Sequence, residues 1–368
     1  MPPEPAPSPK HKQFECSGCG AILEYDPGQG LLKCAHCGHT EAVPAPPASA
    51  VSSHALDEFL ARAGDDHLTP ITGEALQVQC SGCGCVVHFE PPEVAGVCPF
   101  CGANIVDQPK AADPLVAPDA VLPFRVAKEK ALGEVRQWLQ SRWFAPNALR
   151  RVARQEGIAG VYLPFWAYDS DTVTNYSGAR GQHYFETETY QDSEGRTQTS
   201  EVMRTAWYPA SGRVSLAFHD ILVPASKSMA ERRLDALEPW DLEDLSPYEP
   251  AYLAGFKAQR YQLELPDGFE HAKRAMAPRI EKEVRSDIGG DEQRIDDIET
   301  SYLNAAFRHL LLPCWVGAYR FRGDLFQIVV NARTGEVQGE RPYSAWKIGF
   351  LIFGIIALIV LIAILKNH

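Results

Sequence analysis

Residues 16–38 read CSGCGAILEYDPGQGLLKCAHCG, and residues 80–102 read CSGCGCVVHFEPPEVAGVCPFCG. Both are C-x2-C, then fourteen residues, then C-x2-C-G. A C-x2-C turn brings two sulfurs to one side of an ion, and two such turns complete a tetrahedron with metal–sulfur distances of about 2.3 Å. The glycines after Cys19, Cys37, Cys83 and Cys101 let the backbone turn tightly beneath the metal. The candidate ligands are Cys16, Cys19, Cys34 and Cys37 in the first copy and Cys80, Cys83, Cys98 and Cys101 in the second.

The stretch between the turns carries Ile22, Leu23 and Tyr25 in one copy and Val86, Val87 and Phe89 in the other, and it reads as a short hairpin. Each copy therefore reads as a zinc ribbon, a module with almost no core of its own. The expected cofactor is Zn2+ at two structural sites, worth about 10–16 kcal/mol each in apparent binding free energy. Iron is the other metal a tetrathiolate accepts. Cysteine counting also permits disulfides, although such frameworks rarely place C-x2-C at both ends of a repeated unit. Cys85 aligns with Ala21 and falls outside the repeated ligand set, and Cys314 lies in an apolar run that suits a buried thiol. His36, His39 and His88 lie close to sites already supplied with four sulfurs and read as spectators.

At the other end, residues 348–365 read IGFLIFGIIALIVLIAIL without a charge. At 1.5 Å per residue this is roughly 27 Å of helix, close to the thickness of a bilayer's hydrocarbon core. Tyr343 and Trp346 precede it as interfacial aromatics, and Lys347 and Lys366 bracket it. The N-terminal MPPEPAPSPKHKQ lacks the apolar stretch of a signal peptide. The expected topology is a single-pass tail anchor over 347–365. Arg333, Arg341 and Lys347 on the N-terminal side, against Lys366 on the other, place the bulk of the chain in the cytoplasm.

The chain has 368 residues and a net charge of −12. Residues 1–110 hold five Lys/Arg against thirteen Asp/Glu. Nucleic-acid binding rests on clustered cations that neutralise phosphates, so this acidic ribbon pair is ill suited to it.

The fold class expected is multidomain: two small N-terminal zinc ribbons, an α+β domain with antiparallel strands, and one C-terminal transmembrane helix. The divisions are a disordered 1–13, ribbon one over 14–40, a linker over 41–77, ribbon two over 78–104, a linker over 105–120, and the α+β domain over 121–341. Within the first linker, residues 55–63 predict a short helix. In the α+β domain helices are expected near 127–143, 226–237 and 267–288, with Pro278 as a kink or break and Gly289-Gly290 as a stop. Extended segments follow Gly157, with turns at 192–195 and at Ser211-Gly212, and later over 309–321 and 325–339 around Arg333-Thr334-Gly335. Leu163-Pro164-Phe165-Trp166 and Leu312-Pro313-Cys314-Trp315 form a faint internal echo.

Phosphate loops, H-E-x-x-H, G-x-S-x-G and G-x-G-x-x-G are absent from the sequence. Gly289-Gly290-Asp291-Glu292 reads as a helix stop. His219-Asp220 lacks a recognisable nucleophile. Trp166, Trp207, Trp240 and Trp315 are expected in the core.

The paired ribbons, LPFWAYDSDTVTNYSGARG, LEPWDL with YLAGF, and VVNARTGEVQGERPYSAW before a terminal span resemble a group of bacterial tail-anchored zinc-ribbon proteins. These are often labelled TFIIB-type zinc ribbons or relatives of the primosomal replication helicase. The chain lacks helicase ATPase motifs, so that activity does not carry over. The architecture is also similar to membrane proteins of envelope-stress systems. That resemblance implies cytoplasmic protein partners of SPFH-type or PspA-type, recruited to the lipid bilayer. The function expected is a non-enzymatic membrane-anchored adaptor. The alternatives are a membrane-tethered nucleic-acid-binding regulator of replication or transcription, and an enzyme housed in residues 121–341.

Overall fold

The structure, a computed structural model, describes residues 14–44, 51–61, 76–81, 83, 85–89, 96–105, 110–111, 116–142, 157–191, 193, 195, 197–322 and 324–366. The expected disordered N-terminus and much of both linkers lie outside these residues, as do residues 192 and 194 of the turn at 192–195. The first ribbon is a three-stranded antiparallel sheet of β1 (Leu23–Asp26), β2 (Leu31–Cys34) and β3 (Thr40–Glu41). After it come β4 (His54–Ala55) and the short helix α1 (Leu56–Ala61). The second ribbon holds β5 (Leu76–Gln79), β6 (Val86–Phe89), β7 (Gly96–Val97), β8 (Asn104–Ile105) and β9 (Lys110–Ala111).

The main domain runs β10 (Ala120–Val121), α2 (Lys128–Ser141), β11 (Ala159–Gln191), β12 (Thr197–Pro224), α3 (Glu231–Asp235), β13 (Ser246–Pro247), β14 (Lys257–Ala258), α4 (Leu265–Ile288), β15 (Glu292–Phe321), β16 (Asp324–Asn331) and β17 (Val337–Gly339). The terminal helix α5 (Ala345–Lys366) follows. The expected parts are present: two cysteine-rich modules, a large and mostly antiparallel sheet with few helices, and one apolar helix.

The segments expected as separate strands after Gly157 are one strand of 33 residues, and its partner β12 has 28. The turn expected at Ser211-Gly212 is absent, because β12 runs straight through it with Gly212 opposite Tyr176. A Cβ on Gly212 would lie 2.6 Å from the Tyr176 hydroxyl, which donates to Asp287 Oδ2 at 2.6 Å and fastens α4 to the sheet. Glycine serves here to make room, and turn geometry does not call for it. Likewise, the helix expected over 226–237 is only Glu231–Asp235. The Lys227 and Ser228 N–H groups donate to Gln262 Oε1 and Ser226 Oγ, so side chains bind the backbone ahead of the helix.

Helix α4 continues unbroken through Pro278. Its buried stripe of Ala272, Met276, Ile280, Val284 and Ile288 outweighs the roughly 3 kcal/mol that an internal proline costs. It stops at Gly289 with φ +66°, as expected, and the chain turns directly into β15, whose first half lies outside the expected strands.

The internal echo is structural. β11 and β15 pair antiparallel with Leu163 opposite Leu312, so the two echoing segments face each other across the centre of the sheet. Around this point several features occur twice. β14 pairs parallel with β11 at Val161 and Tyr162, and β10 pairs parallel with β15 at Leu310 and Leu311. The Ala225 N–H donates to Pro164 O at 2.9 Å, and the Ala332 N–H to Pro313 O at 3.0 Å. Trp166 Nε1 donates to Leu263 O at 2.8 Å, and Trp315 Nε1 to Val126 O at 2.8 Å. Phe124 sits on Trp315 at 5.2 Å, and Tyr261 on Trp166 at 5.0 Å. Each half is a short strand, a helix and a hairpin, and each helix packs on the other half's hairpin: α4 on β12, α2 on β16.

Period-two alternation divides the sheet's two faces. On one face Val161, Leu163 and Phe165 join Leu310, Leu312, Cys314 and Val316 in a core that also contains the second ribbon's Cys80, Cys98, Phe100 and Cys101, together with Leu234 and Leu237. On the other face the first ribbon and α2 share a core with Phe124, Tyr162 and Trp315. There α4 covers Trp166 and Tyr168. The ribbons are therefore layers of the fold, seated on the sheet. Trp166, Trp240 and Trp315 are buried as expected, whereas Trp207 is 41% exposed on the outer part of β12, under the Arg294 guanidinium.

Beyond Gly181, β11 loses β15 as a neighbour and, among the described residues, pairs only with β12. Residues 182–191 and 197–206 thus form a two-stranded arm of roughly 30 Å at about 3.3 Å per residue. It exposes Tyr184, Phe185, Tyr190 and Met203.

Candidate metal centres

Each ribbon uses the same loop twice. In the first, the Cys16 N–H donates to Ala21 O at 2.7 Å and the Gly20 N–H to Cys16 O at 2.8 Å. The second turn repeats this, with Cys34 N–H to His39 O at 2.8 Å and Gly38 N–H to Cys34 O at 3.0 Å. In the second ribbon the Cys80 N–H donates to Cys85 O, and the Cys98 N–H to Ala103 O, at 2.8 and 2.9 Å. Gly20, Gly38 and Gly102 all take positive φ, from +68° to +76°, which an L side chain would strain. Gly84 lies outside the described residues.

These loops gather the eight expected sulfurs into two groups of four, each within 4.8 Å. The Sγ–Sγ distances are 3.6 Å for Cys16–Cys37, 3.5 Å for Cys19–Cys34, 3.5 Å for Cys80–Cys101 and 3.7 Å for Cys83–Cys98. A disulfide needs about 2.05 Å, so these are free thiols. A tetrahedron with sulfurs about 2.3 Å from its centre has edges of about 3.8 Å, close to what each group presents. The donor set fits a metal ion at both places, with Cys16, Cys19, Cys34 and Cys37 holding one and Cys80, Cys83, Cys98 and Cys101 the other. His39 instead contacts Ser17 Oγ at 3.1 Å and stays outside the ring of ligands.

The two centres differ in depth. Cys19 and Cys37 are exposed, while the second centre has only Cys83 partly open. They also differ in electrostatics. The Cys37 and His36 backbone N–H groups hold the Cys34 thiol down to about 6. The Cys85 thiol, followed by the Phe100 and Cys101 N–H groups, holds Cys98 down to about 5, and the same Cys85–Cys98 contact pushes Cys85 well up. Low values favour the thiolates that ligate metal.

Sequence alignment of the two copies correctly leaves Cys85 outside the ligand set but does not reveal its place. It is fully buried with its Sγ 3.3 Å from Cys98 Sγ. Cys314 is buried on the same face of the sheet, as expected. Asp220 of the His219-Asp220 pair is bound by Arg308, which also contacts Asp169, so it belongs to an ion cluster at the bulge in β11.

No protein-family model matches the chain. The chain is similar to YdjG of Bacillus subtilis (strain 168), an uncharacterized protein, with 28% identity over 345 residues covering 93% of each chain. A match of that length runs through the sheet domain as well as the cysteine-rich part.

Proposed function

We propose that the protein is a non-enzymatic, membrane-anchored zinc-ribbon adaptor. The two tetrathiolate centres hold Zn2+ as structural ions, because sulfur-only tetrahedral sets select soft or borderline metals and zinc needs no redox partner. The observation that carries the membrane part is α5. Trp346–Lys366 has a mean hydropathy of 3.3, and none of its apolar stretch is buried against the protein. Such a surface is stable in lipid and costly in water. The helix starts a few residues after Glu340, whose carbonyl accepts from Tyr319, which supports a reading with the sheet held close to the bilayer. The bulk of the chain is cytoplasmic on the positive-inside argument.

The exposed arm, with Phe185 and Met203 side by side, is the surface available to a cytoplasmic partner. Proteins of SPFH or PspA type in an envelope-stress response are the partner class that the sequence resemblance suggests.

The test is photo-crosslinking in intact cells from residue 185, with Thr189 as an exposed control. It is run with the wild type and with Cys16→Ser/Cys34→Ser. A membrane-fraction protein with one defined crosslink from 185, lost in the cysteine variant, supports the adaptor reading. A protein found in the soluble fraction, or equal crosslinking from both positions, overturns it.

A further inference from the structure

The second metal centre contains five sulfurs where four suffice. Cys85 Sγ lies 3.3 Å from Cys98 Sγ, shorter than the ligand–ligand contacts at either centre. The first ribbon supplies an internal control. Cys80 N–H to Cys85 O and Cys16 N–H to Ala21 O are the same hydrogen bond, so Ala21 occupies Cys85's place on the same backbone. The extra thiol is therefore not needed to form a ribbon. Access comes from a cavity of about 520 Å³, whose wall includes Cys98, Cys101, Ile158, Val316 and Leu325. A single water needs only about 10–15 Å³, so the cavity is large enough for a small hydroperoxide.

We propose that Cys85 is a resolving thiol that converts the second ribbon into a peroxide-responsive, metal-releasing site. The proposal rests on the zinc reading of that centre. The Cys98 thiolate attacks one peroxide oxygen, the O–O bond breaks, and Cys98 becomes a sulfenic acid as hydroxide leaves. The Cys85 sulfur then attacks the Cys98 sulfur. The S–O bond breaks, the Cys85 proton leaves with that hydroxyl as water, and a Cys85–Cys98 disulfide forms. Two electrons pass from two sulfurs to the peroxide, giving one water and one hydroxide. Only Cys80, Cys83 and Cys101 remain for the ion, and the site opens. The first ribbon, with Ala21, has no such partner for Cys34.

The experiment uses the full chain in detergent, treated with one equivalent of hydrogen peroxide per chain. Released zinc is read with a chromogenic chelator, and disulfides are mapped by mass spectrometry. Cleavage after Glu90 and Glu93 separates Cys85 from Cys98, so their cross-link joins two peptides. The expected result is release of one of the two ions and a Cys85–Cys98 cross-link. Cys85→Ala should start with both ions and lose this release and this cross-link. Ala21→Cys should create a cross-link between the introduced thiol and Cys34, together with peroxide-sensitive release from the first ribbon. Equal release in wild type and Cys85→Ala, or cross-links confined to the eight ligands, overturns the proposal. A starting content of no zinc overturns the zinc reading itself, which is a separate outcome visible before peroxide is added.

Discussion

His309 is 2% exposed and lies against Trp166 at 4.8 Å. Its Nδ1–H donates to Val116 O at 2.9 Å, and its Nε2 is buried without a partner among the described residues. Burial holds its pKa below the ordinary 6.5, so the folded chain keeps the ring neutral. The unfolded chain takes up a proton near 6.5. Stability from this residue is thus complete above 6.5 and is lost as pH falls from there toward the depressed folded value, by up to about 1.4 kcal/mol per pH unit. Thermal unfolding in detergent at a series of pH values should show that slope in the wild type and a shallower one in His309→Gln. Parallel slopes would count against it. At this scale the clustered cysteines were legible in the sequence, because spacing alone identifies a C-x2-C pair. His309 and Cys85 were not, because their roles come from neighbours as far away in sequence as Val116 and Cys98.

The doubled element set makes a sharper demand. Trp166 and Trp315 play the same part in the two halves, each tying a residue just before a helix to the centre of the sheet. Trp166→Phe and Trp315→Phe each leave a carbonyl unmatched and should cost about 1–3 kcal/mol, similar to one another. Chemical unfolding of the two variants checks this, and a large difference between them would argue against equivalent roles. The arm makes the opposite demand. Residues 182–191 and 197–206 pair only with each other, and an isolated two-stranded ribbon is marginal in water. Replacing 185–203 by a tight turn should change stability by no more than about 0.5 kcal/mol, as for other surface changes. Hydrogen exchange should find these amides the fastest in β11 and β12. The sequence echo signalled the duplication only faintly, because packing preserved the tryptophans and prolines at the centre and little else. Strand length was hidden in part by a glycine: Gly212 reads as a turn but sits where the Tyr176 hydroxyl approaches within 3 Å of a would-be Cβ.

Across the whole molecule, both ribbons contribute to the sheet's two cores. Stripping the metal should therefore lower the melting temperature of the entire chain. The expected record is one transition that shifts down on chelation and recovers when zinc is restored. A sheet-domain transition unchanged by chelator would mean that the ribbons fold independently. The sequence by itself determined the two cysteine quartets, the paired cysteine-rich modules and the terminal apolar helix, because each is written in local spacing or in an uninterrupted apolar run. Only the tertiary structure decided that the ribbons are layers of one fold, that the sheet is two interlocked halves, and that Cys85 touches a ligand. These depend on which distant residues meet, and a pattern along the chain carries no record of what packs across it.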